Sequence, residues 1–155
     1  MKQYLFDTFQ FNDRMNRQMM EKIKSLPNQD ECVRQFSHLI NSQKKWMARI
    51  QQVPGNSEMS WWEPLYPIQE LAEEWQLSLQ QWLKLIDSKS ESELLHEVEF
   101  TGYDGGRWSA RLLDIALQLN YHSIHHRAQM QVEIRRQGVE PDFIDYIGTK
   151  YKKLA

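Results

Sequence analysis

The feature that most constrains this 155-residue chain is the recurrence of apolar side chains every three or four residues in four long stretches. This spacing places apolar residues on one face of an α-helix, so it predicts amphipathic helices. The first stretch covers residues 8–26 and ends at Pro27. The second opens with a capping box formed by Asn28 and Glu31 and ends before Pro54.

Two further stretches complete the set of predicted helices. One covers residues 67–87, with Pro67 at its first helical position, and the other covers residues 109–137 and stops at Gly138. Four amphipathic helices bury their apolar faces most economically in a four-helix bundle, so the predicted fold class is all-α. The length fits a single domain over residues 1–155.

Two segments interrupt the helical pattern. Residues 53–66, which include Trp61 and Trp62, are too long and too aromatic for a tight turn and predict a connection that crosses the bundle. Residues 96–111 alternate apolar and polar side chains around a turn at residues 103–106, which predicts a short hairpin before the last helix.

Composition excludes several classes of protein. The 19 basic and 21 acidic residues give a formal net charge of −2, which provides no basic surface for a nucleic acid. No apolar run reaches the ~18 residues of a membrane span. The single cysteine, Cys32, cannot form an internal disulfide, and residues 1–4 do not begin an apolar signal segment. We therefore expect a cytoplasmic protein that contacts neither nucleic acid nor membrane.

Three of the five histidines fall within five residues on the predicted fourth helix. His122 and His126 are four positions apart, so both rings lie on one face and can approach the same ion. His125 lies on the outer side of this pair. A stable site for a divalent ion needs three or four protein ligands, and His38 and His96 are both candidates for the third. Periodicity places His38 opposite the apolar face of its helix, which favours a solvated side chain.

The most specific motif is YHSIHHRAQ at residues 121–129, in which Arg127 and Gln129 follow His122 and His126. It resembles the HxxxHRxQ signature on the last long helix of the DinB-like (DinB/YfiT) family of bacterial four-helix-bundle metalloenzymes. The resemblance extends over nearly the whole chain.

Segments in the first two helices are also similar to this family. His38, followed by Trp46 and Arg49, resembles the sequence around the family's first metal ligand. Residues 11–12 and Asn16 resemble the aromatic-asparagine opening of its first helix.

Several properties are implied by this resemblance. It implies an up-down-down-up bundle, for which the long connection is suited, and a homodimer. It implies that His38, His122 and His126 bind one divalent metal ion, while His96 and His125 are left out. Three imidazoles accept several first-row ions, so zinc, nickel, iron and manganese all stay open.

The predicted function is that of a metal-dependent enzyme acting on a small molecule. A divalent ion held by three neutral imidazoles lowers the pKa of a bound water to about 7, or deprotonates a bound thiol. Several DinB-like relatives join low-molecular-weight thiols to electrophiles and others are described as hydrolases, so the resemblance implies a thiol S-transferase or a hydrolase.

No protein side chain is identified as a catalytic residue. We expect Cys32 to be a buried structural thiol. Gln129 and Glu133 lie close enough to the histidine pair to orient a ring or a water, and Arg127 is expected to form a structural ion pair. Trp61, Trp62 and Trp108 are candidates for a pocket rim, although core or interface positions are commoner for indoles.

The alternative function is a non-catalytic dimeric bundle that binds a small apolar ligand or a partner helix. Seven methionines and eighteen aromatic residues make such a surface possible. In that case the histidines are polar groups at a groove, and a chelator leaves ligand binding unchanged.

Overall fold

The structure is a computed structural model that describes residues 1–154. In this range the chain forms four long helices and one hairpin, in the order α1 (Lys2–Lys24), α2 (Asp30–Ile50), α3 (Leu71–Ser88), β1 (Glu97–Thr101), β2 (Arg107–Arg111) and α4 (Leu112–Arg136). Short 3₁₀ helices occupy Glu93–Leu95 and Tyr146–Thr149. These elements confirm the predicted helical bundle with a hairpin before the last helix. No helix within residues 1–154 combines the length and apolar character needed to cross a bilayer.

The start of α2 differs from the predicted capping box. The Asn28 side chain accepts a hydrogen bond from the Asp30 backbone N–H (2.9 Å), two residues ahead, and Glu31 instead pairs with Arg34. This local turn competes with a helix cap, as asparagine side chains commonly do. The helix consequently begins at Asp30.

The starts of α3 and α4 also lie later than predicted. The Pro67 carbonyl accepts hydrogen bonds from the N–H groups of both Glu70 and Leu71, so a turn precedes α3. Residues 109–111 belong to β2, which pairs antiparallel with β1, and α4 begins directly after the strand. Strand pairing therefore overrides the local helical tendency there.

The hairpin packs on the outer side of α2. Phe100 of β1 faces Trp108 of β2 across the hairpin, and its ring meets Trp46 of α2 edge-on at 4.9 Å. The Arg49 side chain donates a hydrogen bond to the Thr101 carbonyl at 2.9 Å. These contacts cover part of the polar face of α2.

The connection between α2 and α3 covers more of that polar face. Lys45 is only 4% exposed, and its ammonium donates to the carbonyls of Ser57 (3.1 Å) and Met59 (2.5 Å). Burial lowers the pKa of Lys45, and the neighbouring charge of Arg49 lowers it further. As a result α2 is buried on nearly all sides, although its sequence is amphipathic.

Buried apolar side chains form two clusters separated by a polar layer. The Trp75 cluster includes Phe36, Ile23 and Ile134, and the Trp82 cluster includes Phe9, Leu112 and other residues from the four helices. Between the clusters lie buried polar side chains from all four helices, namely Asn12, Asn16, Gln35, His38, Asn41, Gln43, Ser78, Asn120, Ser123, His126 and Arg127. The histidines that resemble metal ligands belong to this layer or border it.

The end of α4 provides a first testable prediction. Gly138 has a φ of 76°, its N–H bonds to the Arg135 carbonyl, and the Val139 N–H bonds to the Ile134 carbonyl, which is a Schellman motif. We expect Gly138→Ala to lower the free energy of unfolding by about 1 kcal/mol, because an L side chain is disfavoured in this conformation. Urea unfolding measures it, and an unchanged stability would contradict the assigned backbone conformation.

Candidate metal centre

Three histidines from two helices meet in the polar layer. His38 is contributed by α2, and His122 and His126 are contributed by successive turns of α4. The Nε2 atom of His122 lies 3.2 Å from Nε2 of His38 and 2.8 Å from Nε2 of His126. Each histidine offers one ring nitrogen to this group, and the three nitrogens all lie within 4.8 Å of one another. These are the three positions that the family resemblance implied.

The expectation of a solvated His38, drawn from helical periodicity, is wrong. His38 is only 7% exposed. The indole of Trp62 stacks on its ring with centroids 3.9 Å apart and planes 16° from parallel. The Arg34 guanidinium lies over the Trp62 ring, with its central carbon 4.5 Å from the ring centre. The long connection therefore covers the face of α2 that its periodicity leaves open.

Hydrogen bonds at Nδ1 fix the tautomers of two rings. The His38 Nδ1–H donates to the Trp61 carbonyl at 2.7 Å, since a carbonyl can only accept. The Gln35 amide donates its N–H to the Glu31 carboxylate at 2.6 Å, which leaves its oxygen facing His126. The His126 Nδ1–H therefore donates to this Gln35 oxygen at 2.5 Å.

The remaining Nε2 atoms form a set of lone pairs that fits a cation. With Nδ1 protonated, neutral His38 and His126 each present a bare Nε2 lone pair toward His122. His122 carries at most one proton on its own Nε2, so it can form a good hydrogen bond with only one of them. A single cation near all three Nε2 atoms satisfies every lone pair, and three imidazoles are a suitable donor set for a first-row divalent ion.

Burial keeps these imidazoles neutral. It lowers the pKa of His122 to about 4 and that of His126 to about 3, with repulsion among the clustered rings adding to the effect. The pKa of His38 is also lowered, by burial first and then by the positive charge of Arg34. A neutral ring is the form that binds a metal, so the site needs little proton release at pH 7.

These lowered pKa values predict a pH dependence for the metal-free protein. An unfolded histidine has a pKa of about 6.5, so below this pH the unfolded chain binds protons that the folded cluster does not. Stability is therefore expected to fall as the pH decreases from about 6.5 toward 4. Urea unfolding of chelator-treated protein at several pH values measures this slope.

Two variants assign the slope to the cluster. His126→Gln removes one group with a lowered pKa and is expected to reduce the slope, whereas His125→Gln changes an exposed residue and is expected to preserve it. A wild-type stability that stays constant between pH 6.5 and 4 would contradict the assignment.

The other two histidines lie outside the cluster. His96 and His125 are both exposed. Glu133 accepts a hydrogen bond from Gln137 and orients no ring of the cluster. Gln129 contacts His125 at 3.1 Å and also lies close enough to His126 to raise the pKa of that ring slightly against the effect of burial.

The residue that orients the His126 ring is Gln35, through the hydrogen bond at Nδ1. Sequence reasoning missed it. Its position three residues before His38, on the same helix, was the available signal. The Trp61 carbonyl gave no signal, because it is a backbone group.

Two further expectations can be compared with the structure. Cys32 is buried and burial raises its pKa to about 12, as suits a structural thiol. Arg127 was expected to form an ion pair, but within residues 1–154 it pairs with no carboxylate. Its hydrogen bonds go to Asn12, Asn16 and Ser123 instead, so that expectation is wrong.

An open cleft reaches the cluster from the surface between α2 and α4. It has a volume of about 280 Å³ and is lined by His38, Ser42, Trp46, Trp61, Gln118, Leu119 and His122. Two of the expected rim residues are thus near the histidines, since Trp61 lines the cleft and Trp62 stacks on His38. Trp108 instead lies on the hairpin surface. The buried hydroxyl of Ser42 has no hydrogen-bond partner among residues 1–154.

Comparisons with known proteins agree with this geometry. A family model described as the DinB superfamily matches residues 32–130, which include all three clustered histidines. No curated protein and no solved structure matches the chain.

Proposed function

Because the chain belongs to the DinB superfamily, we propose that it is an enzyme that binds one divalent metal ion through His38, His122 and His126. We propose further that it acts on a small molecule, as a thiol S-transferase or a hydrolase. The observation that carries the proposal is the convergence of three Nε2 atoms while the Nδ1 atoms of two rings are occupied by other hydrogen bonds.

The chain's own residues define what such a site accepts. When bound, the ion would supply a positive charge that lowers the pKa of a thiol or water brought to it. The cleft admits a small molecule, because its volume of about 280 Å³ is near the lower end of ligand pockets. Trp46 and Trp61 offer apolar contacts, and Gln118 offers hydrogen bonds to the substrate.

Cys32 supports a reaction that uses an external thiol or water. Its thiol is buried and its raised pKa keeps it protonated at neutral pH, so it is a poor nucleophile. It also does not line the cleft. A nucleophile therefore has to enter with the substrate.

The bundle topology that we propose is up-down-down-up. It is supported by the two apolar clusters, because residues of the Trp82 cluster lie toward the N-terminus of α1 and α4 but toward the C-terminus of α2 and α3. The cytoplasmic location and the homodimer stay predictions.

A metal-dependent conjugation assay tests the enzymatic proposal. Chelator-treated protein is reloaded separately with zinc, nickel, iron or manganese and mixed with a low-molecular-weight thiol and a fluorogenic chlorobimane, or with an activated ester. We expect one metal form to exceed the uncatalysed rate and His126→Ala to abolish this excess. His125→Ala, an exposed neighbour on the same helix, is the matched control.

The same assay separates the two candidate functions. If no metal form accelerates either reaction with any thiol or ester tested, the transferase and hydrolase proposals fail. If the protein then binds an apolar ligand equally well with and without chelator, the non-catalytic bundle is the better account.

Gln35 provides a prediction about metal affinity. Gln35→Leu removes the acceptor that orients the His126 ring. Loss of a residue that hydrogen-bonds to a metal ligand typically lowers metal affinity by about 10–100-fold. We expect a loss in this range for zinc, measured by competition with a chromogenic chelator. Gln131→Leu on α4, whose amide donates to the Asp142 carbonyl at 2.7 Å and contacts no histidine of the cluster, should keep the wild-type affinity. Equal affinities of both variants would contradict the orienting role.

A further inference from the structure

Arg127 is a buried cation without a counterion. Its side chain is 1% exposed, and no carboxylate within residues 1–154 forms an ion pair with it. Leaving a charge buried and unpaired is strongly unfavourable, so proteins normally supply an opposite charge. Residues 1–154 therefore leave the Arg127 charge without an opposite charge beside it.

The hydrogen bonds of Arg127 satisfy only part of the guanidinium. Its Nη1 donates to the side-chain oxygens of Asn12, Asn16 (2.8 Å) and Ser123 (3.0 Å), which are all neutral acceptors. Its Nε has no hydrogen-bond partner in the part of the chain that the structure describes. Neutral oxygens hold the side chain in place but leave its positive charge uncompensated.

Arg127 also lines a pocket that is separate from the histidine cleft. This pocket has a volume of about 260 Å³ and shares no lining residue with the cleft. Phe11, Ile124 and Tyr146 form much of its apolar wall. The Phe11 ring centre lies 5.6 Å from the guanidinium carbon, and this ring meets Tyr146 edge-on at 5.1 Å.

We propose that this pocket binds a small monocarboxylate with an apolar body. The carboxylate pairs with Arg127, for which a charge-assisted hydrogen bond is the strong form of contact. The apolar body packs against Phe11, Ile124 and Tyr146. Asp145 also lines the pocket, and its carboxylate repels a dianion such as inorganic phosphate more strongly than it repels a monocarboxylate.

Fluorine NMR titrations of the full chain test this site with 4-fluorobenzoate and its neutral counterpart 4-fluorobenzamide. We expect the carboxylate to bind at least 10-fold more tightly than the amide. The affinity should be the same in zinc-loaded and chelator-treated protein, because the pocket is separate from the histidines. Equal binding of the two probes, or carboxylate binding only in the zinc form, would overturn the proposal.

Two variants locate the bound probe without removing Arg127, whose loss could unfold the protein. Ile124 is 48% exposed, so Ile124→Trp can fill the pocket while the fold, checked by circular dichroism, is kept. It should weaken 4-fluorobenzoate binding at least 10-fold. Asp145→Asn should tighten this binding, because it removes a carboxylate that repels the bound anion, and a weaker affinity would contradict the proposed site. Full binding by the folded Ile124→Trp protein would place the probe elsewhere and reject the site.

Discussion

His126→Ala is expected to lower zinc affinity by at least about 100-fold. This loss exceeds the range of about 10–100-fold that is typical when a residue that only hydrogen-bonds to a metal ligand is removed. The substitution removes one of three proposed ligands and leaves two imidazoles, too few for a stable site. His126 is 5% exposed and its Nε2 faces that of His122 at 2.8 Å. Isothermal titration of chelator-treated protein with zinc measures the affinity and the stoichiometry together.

His125→Ala is the matched control for this experiment. It removes an imidazole from the neighbouring position of the same helix, but His125 is exposed and outside the cluster. It should retain wild-type affinity and a stoichiometry near one. A His126→Ala protein that is folded and binds zinc as tightly as His125→Ala would contradict the proposed ligand set.

Trp82→Ala is expected to cause the largest loss of stability, about 3–5 kcal/mol in the free energy of unfolding. Trp82 is fully buried, and its ring stacks on Phe9 with centroids 6.1 Å apart. Its indole N–H also donates to the Gln43 carbonyl at 3.1 Å. The substitution therefore leaves a large cavity and removes this additional hydrogen bond, and urea unfolding measures the loss.

Leu77→Ala on the same helix controls for a general effect on α3. Leu77 is 49% exposed, so its truncation should change stability by no more than about 0.5 kcal/mol. Similar losses for Trp82→Ala and Leu77→Ala would show that the core is not organised around Trp82.

The helices could be predicted from the sequence because their burial follows a simple period. Trp75, Leu79, Trp82 and Ile86 recur every three or four residues and are all buried in α3. Boundaries were less predictable, since they depend on contacts outside the helix. The last helix begins three residues later than expected because residues 109–111 pair with β1.

The environment of His38 could not be predicted from local pattern. Its position opposite the apolar face normally means exposure to water. Here the connection covers it, fastened by long-range hydrogen bonds such as Tyr66 N–H to the Ser37 hydroxyl and the Asn41 amide to the Pro64 carbonyl. These pairings lie more than 20 residues apart, and only the family resemblance singled out His38.

Arg127 illustrates a second limit of sequence reasoning. A charged residue beside a bundle seam most often pairs with a carboxylate, yet its partners here are two asparagines of α1 and a serine of its own helix. In this chain Asn12 and Asn16 hold a buried guanidinium.

X-ray absorption spectroscopy of the protein loaded with one equivalent of zinc tests the central claim most directly. Three imidazole nitrogens are expected around each zinc at about 2.0–2.1 Å, with any further ligand a light atom. A sulfur scatterer from Cys32, or a signal from fewer than three imidazoles, would contradict a site built from His38, His122 and His126.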